Sequence, residues 1–87
     1  MILDGFRRFQ PPWGMNWKVI VGANIRRLRK ERGASQEKLA GEAKIAMRHL
    51  GFVERGQINA SVEVVGQIAD ALGVNPGKLF EKPRGKK

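Results

Sequence analysis

The chain has no cysteine among its 87 residues and only one histidine. Without cysteine it cannot form a disulfide, a zinc-finger site or a catalytic thiol. No apolar run approaches the ~20 residues that a membrane-spanning helix requires. The first residues also lack the basic region and the long apolar stretch of a secretory signal. These absences leave a small domain with an ordinary apolar share of 41%.

The sequence offers equally little for catalysis or metal binding. It contains no phosphate-binding glycine loop, no nucleophile next to a base and no suitably spaced pair of carboxylates. The single histidine, His49, has no cysteine or acidic residue at ligand spacing. We therefore predict no metal site, no cofactor and no enzymatic activity, and expect a binding protein.

Positive charge is what the chain has in excess, with 17 Lys and Arg against 8 Asp and Glu and a net charge of +9. Such a balance favours a polyanionic partner, either nucleic acid or an acidic membrane surface. Almost half of the excess lies in residues 82–87, which hold Lys82, Arg84, Lys86 and Lys87. If the partner is a nucleic acid, this basic tail is expected to raise affinity without sequence preference, through counterion release.

The composition divides the chain into three segments. Residues 1–15 combine aromatic residues with Pro11 and Pro12 and show no periodicity, which predicts an irregular extension. This extension is either disordered or packs its aromatic side chains on the domain or on a partner, and Met15 is an alternative start. Residues 16–81 are predicted to form the folded domain, and residues 82–87 the basic tail.

Residues 16–81 carry a helical pattern with clear start and stop signals. The first predicted helix is capped by Asn16 and runs to about residue 32, because Val21, Ile25 and Leu28 form one apolar stripe. Further start and stop signals predict a second helix at about 35–43, a third at about 46–53 and a fourth at about 61–72. Asn75-Pro76 predicts the start of a short fifth helix.

Five short helices predict a compact all-α domain. Only two or three residues separate the second helix from the third, so the chain must turn sharply there. This spacing predicts a helix-turn-helix unit.

Five segments at ordered spacings carry a family resemblance. They are Ile25-Arg26-Arg27-Leu28-Arg29, Gly33, Ser35-Gln36-Glu37-Lys38-Leu39-Ala40, Val53-Glu54-Arg55-Gly56 and Ile68-Ala69-Asp70-Ala71-Leu72-Gly73-Val74. Together they resemble the lambda-repressor/Cro-like helix-turn-helix domain, and within it the XRE-type bacterial regulators. The resemblance covers about residues 19–80.

The resemblance implies a sequence-specific transcriptional regulator that binds double-stranded DNA as a homodimer. The third helix, about 46–53, would lie in the major groove with its early residues at the base edges. Such a regulator would be a cytoplasmic protein of bacterial or phage-like origin, with no membrane association and no small-molecule effector domain.

The third helix itself supports this expectation. If Leu50 and Val53 face the core, its opposite face is exposed, and an exposed Met and Phe beside an Arg are unusual on a plain solvated surface. Arginine can bond to guanine O6 and N7, and apolar groups can contact thymine methyls. We therefore predict four base-contacting residues, Met47, Arg48, Gly51 and Phe52.

The resemblance also implies residues that hold the DNA backbone and the fold. The expected phosphate contacts are Gln36 at the start of the second helix, Lys44 in the turn, and Arg55, Gln57 and Asn59 after the third helix. A helix N-terminus attracts an anion in any case, which agrees with the place of Gln36. Arg29 and Glu54 are expected to form an ion pair that ties the first helix to the end of the third.

The sequence departs from the family pattern in and around the third helix. Lys44 stands where the turn usually has glycine, Ala46 where a hydroxyl usually caps the helix, and Gly51 lies inside the helix. Each departure costs about 1 kcal/mol or less. We therefore expect a recognition helix that depends on tertiary packing or on DNA for its order.

The dimer surface is expected on the fourth and fifth helices, with Val64, Leu79 and Phe80 as candidates. Of these three, Leu79 is equally expected to be a core residue. Two other functions remain open at this point. One is an antitoxin-type module that binds a protein partner through the same domain, and the other is a basic nucleoid- or membrane-associated protein without sequence preference.

Overall fold

The computed structural model describes residues 16–82, and residues 1–15 and 83–87 lie outside the described residues. The predicted extension and most of the predicted tail therefore have no structural account. The described part contains four α-helices and one 3₁₀ helix, and no strand. They are α1 (Trp17–Glu31), α2 (Gln36–Ala43), α3 (Met47–Glu54), α4 (Val62–Leu72) and the 3₁₀ helix (Pro76–Phe80). The predicted all-α helix-turn-helix fold is confirmed, and its fifth helix is a 3₁₀ helix.

The core takes one fully buried aliphatic side chain from each helix. These residues are Ile25, Leu39, Leu50, Ile68 and Leu79, each with 0% of its surface exposed. Burial of such side chains supplies most of the stability of a small domain. Leu79 is therefore a core residue, and the prediction that it lies in a dimer interface is wrong: the 3₁₀ helix packs on α1 and α4 and directs this side chain inward.

Side-chain caps begin three of the helices. The Ser35 hydroxyl accepts a hydrogen bond from the Lys38 amide at 3.0 Å, and the Ser61 hydroxyl accepts one from Val64 at 3.1 Å. Asn75 caps the 3₁₀ helix by accepting from the Gly77 amide at 2.8 Å. Asn16 occupies the cap position of α1, but its side chain makes no capping bond, so that part of the prediction is wrong. Its ψ of 103° differs from the 165° and 160° of the two capping serines.

All four α-helices end in the same backbone geometry. A left-handed residue follows the last turn, and the next amide bonds back to a carbonyl five residues earlier. Glycine supplies this conformation after α1, α3 and α4, at positions 33, 56 and 73. After α2 the residue is Lys44, with φ of 63°, which a β-carbon makes less favourable. The turn of the helix-turn-helix unit thus has the family geometry without the family glycine.

α1 and α3 make the closest helix contact that bears on the site. A β-carbon on Gly22 would lie 2.2 Å from the Val53 carbonyl oxygen and 2.7 Å from that of Glu54. Only glycine fits at such a distance, so the backbone of α1 rests directly on the last turn of α3. This contact fixes the position of α3 relative to the rest of the domain.

Candidate nucleic-acid interface

The exposed part of α3 has a basic and apolar character. Arg48, Phe52 and Arg55 follow one another at i, i+4 and i+7, a spacing that places them on one helix face. Arg48 is exposed and Phe52 is half-buried. Met47 at the start of α3 is 51% exposed, although it is a large apolar residue. The opposite side of the helix is buried through Leu50 and Val53, as the sequence predicts.

Gly51 does not lie on this exposed face, and the expectation that it does is wrong. It is buried, and the three nearest atoms that a β-carbon would meet all belong to the guanidinium group of Arg55, the closest at 3.2 Å. Helix periodicity places Gly51 near the exposed arc, but the Arg55 side chain folds back over it. Gly51 therefore offers no open surface to a base.

Arg55 is held in place by three neighbours. Its guanidinium carbon lies 5.2 Å from the centre of the Phe52 ring, in cation–π range. Its Nε donates a hydrogen bond to the Gln57 side-chain oxygen at 3.0 Å. A β-carbon on Gly51 would lie 3.2 Å from the nearest terminal nitrogen of Arg55, so the guanidinium group is packed close to this glycine. We call Gly51, Phe52, Arg55 and Gln57 the Arg55 cluster.

A buried ion pair connects α3 to α1 and to the loop that precedes α2. Arg29 donates from Nε to Glu54 Oε2 at 2.7 Å and from Nη2 to Glu54 Oε1 at 3.0 Å. The Arg29 Nη1 group donates to the Ala34 carbonyl at 2.9 Å. The two residues expose only 8% and 7% of their surface. Bidentate pairing with further hydrogen bonds is the arrangement that lets two charges be buried.

Gln36 joins this ion pair, a contact that the sequence does not reveal. Its Nε2 donates to Glu54 Oε1 at 2.9 Å, so the first residue of α2 is bonded to the last residue of α3. Gln36 keeps part of its surface exposed at the N-terminus of α2. The first amides of that helix point out of its end, where they can meet an anion.

The remaining predicted phosphate-contacting residues surround α3. Lys44 is exposed in the turn before it, and Gln57 and Asn59 are exposed in the loop after it. Among residues 16–82, no carboxylate lies within salt-bridge distance of Lys44, Arg48 or Arg55. Elsewhere Arg27, Arg32, Lys38 and Lys78 are each paired with a glutamate. The positive charge around α3 is therefore open to an external anion.

An apolar patch lies between α1 and the 3₁₀ helix, next to the loop that holds Asn59. The rings of Trp17 and Phe80 are 6.3 Å apart, and the two residues are 38% and 43% exposed. They line an open pocket of about 130 Å³ with Val21, Ile58 and Val65. Of the other two predicted dimer residues, Val64 is half-buried against the core and Leu79 is fully buried. Sequence reasoning did not name Trp17 as a candidate for this surface, although the residue lies in the predicted domain of residues 16–81.

The described residues contain no group of three acidic, histidine or cysteine side chains that could hold a metal ion. No helix within residues 16–82 is long and apolar enough to cross a membrane.

Comparison with known proteins identifies the family. The helix-turn-helix family model matches residues 25–79, which include α2, α3 and the turn between them. The chain belongs to this helix-turn-helix family. It is 36% identical over 65 residues to an uncharacterized HTH-type transcriptional regulator of Sinorhizobium fredii, covering 75% of this chain and 84% of the relative. It is 34% identical to the control protein C.BamHI of Bacillus amyloliquefaciens, covering 76% of this chain and 83% of the relative.

Solved structures agree with these relatives. The restriction-modification controller protein C.AhdI from Aeromonas hydrophila superposes with a TM-score of 0.71 at 40% identity, covering 72% of this chain and 96% of that one. The helix-turn-helix relatives are transcriptional regulators, and this chain is a DNA-binding transcriptional regulator of the same kind. The antitoxin-type alternative is not favoured by any of them.

Proposed function

We propose that this helix-turn-helix regulator binds double-stranded DNA sequence-specifically, with α3 in the major groove. One observation carries the proposal: the exposed face of α3 presents Arg48 and Arg55 with no acidic partner among residues 16–82. Some basic residues of the preceding helices are paired, such as Arg27 and Lys38, and others, such as Arg26, are not, so the argument rests on the position of the two arginines at α3. Exposed arginines on the second helix of a helix-turn-helix unit are suited to contact the phosphates and base edges of a DNA groove.

The N-terminal half of α3 supplies the base contacts. Helix-turn-helix proteins place the early residues of the recognition helix at the base edges. Here these are Met47, which is 51% exposed, and Arg48, which is also exposed. Arg48 suits guanine O6 and N7, and Met47 suits a thymine methyl group. Gly51 is covered by Arg55 and does not take part.

The residues around α3 supply the phosphate contacts. Lys44 and Arg55 bring unpaired charge to its two ends, and Gln57 and Asn59 add polar groups in the following loop. Gln36 adds a side-chain amide at the N-terminus of α2, where backbone amides also face outward. Contacts of this kind fix the orientation of the protein on the duplex.

A homodimer is the assembly that we propose, with two α3 helices presented to two half-sites. Dimers of this class of protein place their half-sites about one helical turn apart, a spacing of ~10 base pairs. The exposed aromatic residues Trp17 and Phe80 are candidates for the dimer surface, with the half-buried Val64 on α4. An exposed apolar patch of this kind is typical of a protein contact.

The relatives of this regulator come from bacteria and from a Bacillus phage. We therefore place it in the bacterial cytoplasm, where its DNA partner is.

The test compares two arginines that differ only in position. Arg48→Ala should reduce the preference for a selected duplex over a scrambled one by about 10-fold or more, since a good bidentate base contact is worth ~1–3 kcal/mol of discrimination. Weak, salt-sensitive binding to both duplexes should remain. Arg26→Ala is the control, because Arg26 is exposed on α1 and carries the same charge. If Arg26→Ala lowered the preference as much as Arg48→Ala, the role of α3 would be refuted.

A further inference from the structure

The Arg55 cluster suggests that residues on one face of α3 have different roles, which the helix pattern does not reveal. Phe52 shares a face with Arg48, and from spacing alone it would be assigned to base contact. In the structure the ring is half-buried and lies 5.2 Å from the Arg55 guanidinium carbon. The Phe52 ring therefore packs against the Arg55 guanidinium group, which is itself a candidate phosphate contact.

We propose that Gly51 and Phe52 are positioning residues, which hold the Arg55 guanidinium group in the place where it contacts a DNA phosphate. This inference rests on the proposed function and names what two residues of the site do within it. Phe52 acts through the face of its ring, and Gly51 acts by having no β-carbon. Neither residue needs to touch a base.

Three separate contacts restrict the Arg55 side chain. The Phe52 ring is on one side, and a β-carbon on Gly51 would lie 3.2 Å from the nearest guanidinium nitrogen, so the guanidinium group packs closer to this glycine than an alanine would comfortably allow. The Gln57 side chain accepts from Nε at 3.0 Å, which leaves both terminal Nη groups free to donate outward. A long side chain loses rotamer entropy when it binds, and one that is already held loses less. The cluster therefore prepares Arg55 for an anion.

The position of Arg55 on the helix decides which part of DNA it meets. Arg48 and Arg55 are seven residues apart, a separation of ~10 Å at 1.5 Å per residue. When the N-terminal end of a recognition helix lies against the base edges, a side chain two turns later lies near the edge of the groove. Phosphates are there, and arginine can donate two parallel hydrogen bonds to one of them. Arg55 is thus expected to contact the backbone while Arg48 contacts bases.

The dependence of affinity on salt separates this inference from direct base contact by Phe52. Each phosphate that a protein neutralises contributes ~0.9 to the slope of log affinity against log salt. Arg55→Ala should lower the slope by about that amount. Phe52→Leu removes no charge, yet it should lower the slope in the same direction, because it releases Arg55. In the Arg55→Ala background, Phe52→Leu should change neither the slope nor the affinity further.

A second variant guards against a simple loss of folding. Gly51→Ala should displace the guanidinium group, which is the movable end of a long side chain, so the fold can accommodate it. Alanine also favours the helix over glycine. The expected combination is a thermal midpoint equal to or above that of the wild type, with a lower salt slope and a several-fold loss of affinity for all duplexes alike.

The experiment is fluorescence anisotropy of labelled duplexes at several salt concentrations, on the full chain and the variants, with Val62→Ala as the apolar control, because Val62 is 91% exposed on α4 and lies outside the proposed site. An unchanged slope for Phe52→Leu, together with an altered preference among sequences, would overturn the inference and make Phe52 a base-contacting residue. Absence of salt-sensitive duplex binding by the wild type would instead refute the proposed function. The two failures are therefore distinguishable.

Discussion

At the scale of single residues, Glu54 links the candidate interface to the core. Its carboxylate accepts two hydrogen bonds from Arg29 and one from Gln36. The last residue of α3 is therefore bonded to α1 and to the first residue of α2. Burial of a charged pair contributes little net stability, but removal of one partner leaves the other charge uncompensated. The relative position of α2 and α3 therefore depends on this carboxylate.

Glu54→Gln should destabilise the domain by about 3 kcal/mol, because it leaves the Arg29 charge buried without a counterion. The measurement is urea unfolding followed by circular dichroism. The matched control is Glu31→Gln, which breaks the exposed pair between Arg27 and Glu31, whose side chains are 46% and 60% exposed. That change should cost about 0.5 kcal/mol or less. Equal small effects of both substitutions would contradict the role assigned to Glu54.

Residue positions could be predicted from the sequence only in part. The pairing of Arg29 with Glu54 was available from the family resemblance, since 25 residues separate them in the chain and no spacing rule connects them. Gly51 was placed wrongly because a helical wheel does not include a neighbouring side chain that folds over the backbone. Leu79 was left between core and surface because a short helix has too little periodicity to decide. The bond from Gln36 to Glu54 has no sequence signal.

At the scale of helices, α3 is weak by its own sequence. Its cap position holds Ala46, which makes no side-chain hydrogen bond, and the preceding turn places Lys44 at φ of 63°. The lost cap costs ~1 kcal/mol, and Gly51 inside the helix costs a further ~0.5–1 kcal/mol. Burial of Leu50 and Val53 and the close contact with Gly22 compensate for this. α3 is therefore held by tertiary packing.

Gly22→Ala should destabilise the domain by ~3 kcal/mol, because a β-carbon 2.2 Å from the Val53 carbonyl oxygen forces α1 and α3 apart. Gly41→Ala is the control, since a β-carbon there meets nothing within 4 Å in the middle of α2. It should stabilise the domain by ~0.5–1 kcal/mol through helix propensity. Thermal unfolding measures both, and stabilisation by Gly22→Ala would contradict the close helix contact.

Helices could be predicted better than their contacts. Serine caps and terminal glycines are local signals: Ser35 and Ser61 marked the starts of α2 and α4, and Gly73 marked the end of α4 at residue 72. Asn16 carries the same signal, yet its backbone angle differs from that of the capping serines and its side chain makes no capping bond. The role of Gly22 could not be predicted, because glycine in a helix indicates an unusual environment without saying which helix lies against it.

At the scale of the whole molecule, the distribution of charge matters more than its sum. The net charge of +9 predicts a polyanionic partner but does not name it. In the described part, several basic residues on α1 and α2 are paired with glutamates, while Lys44, Arg48 and Arg55 are not. Within residues 16–82, Lys18, Arg26 and Lys30 on α1 also have no carboxylate partner, so what distinguishes Lys44, Arg48 and Arg55 is their place in and around α3. The position of these charges in the helix-turn-helix unit, more than the net charge, favours double-stranded DNA as the partner.

The most direct test of sequence-specific recognition by α3 is selection from a random pool of duplexes with the full chain. We predict an enriched motif of two half-sites related by two-fold symmetry, with centres ~10 base pairs apart, as two copies of α3 would require. The same selection with Arg48→Ala should return a weaker motif that has lost its preference at one position in each half-site. A pool without any enriched motif, or an identical motif from Arg48→Ala, would contradict the claim that α3 recognises the sequence.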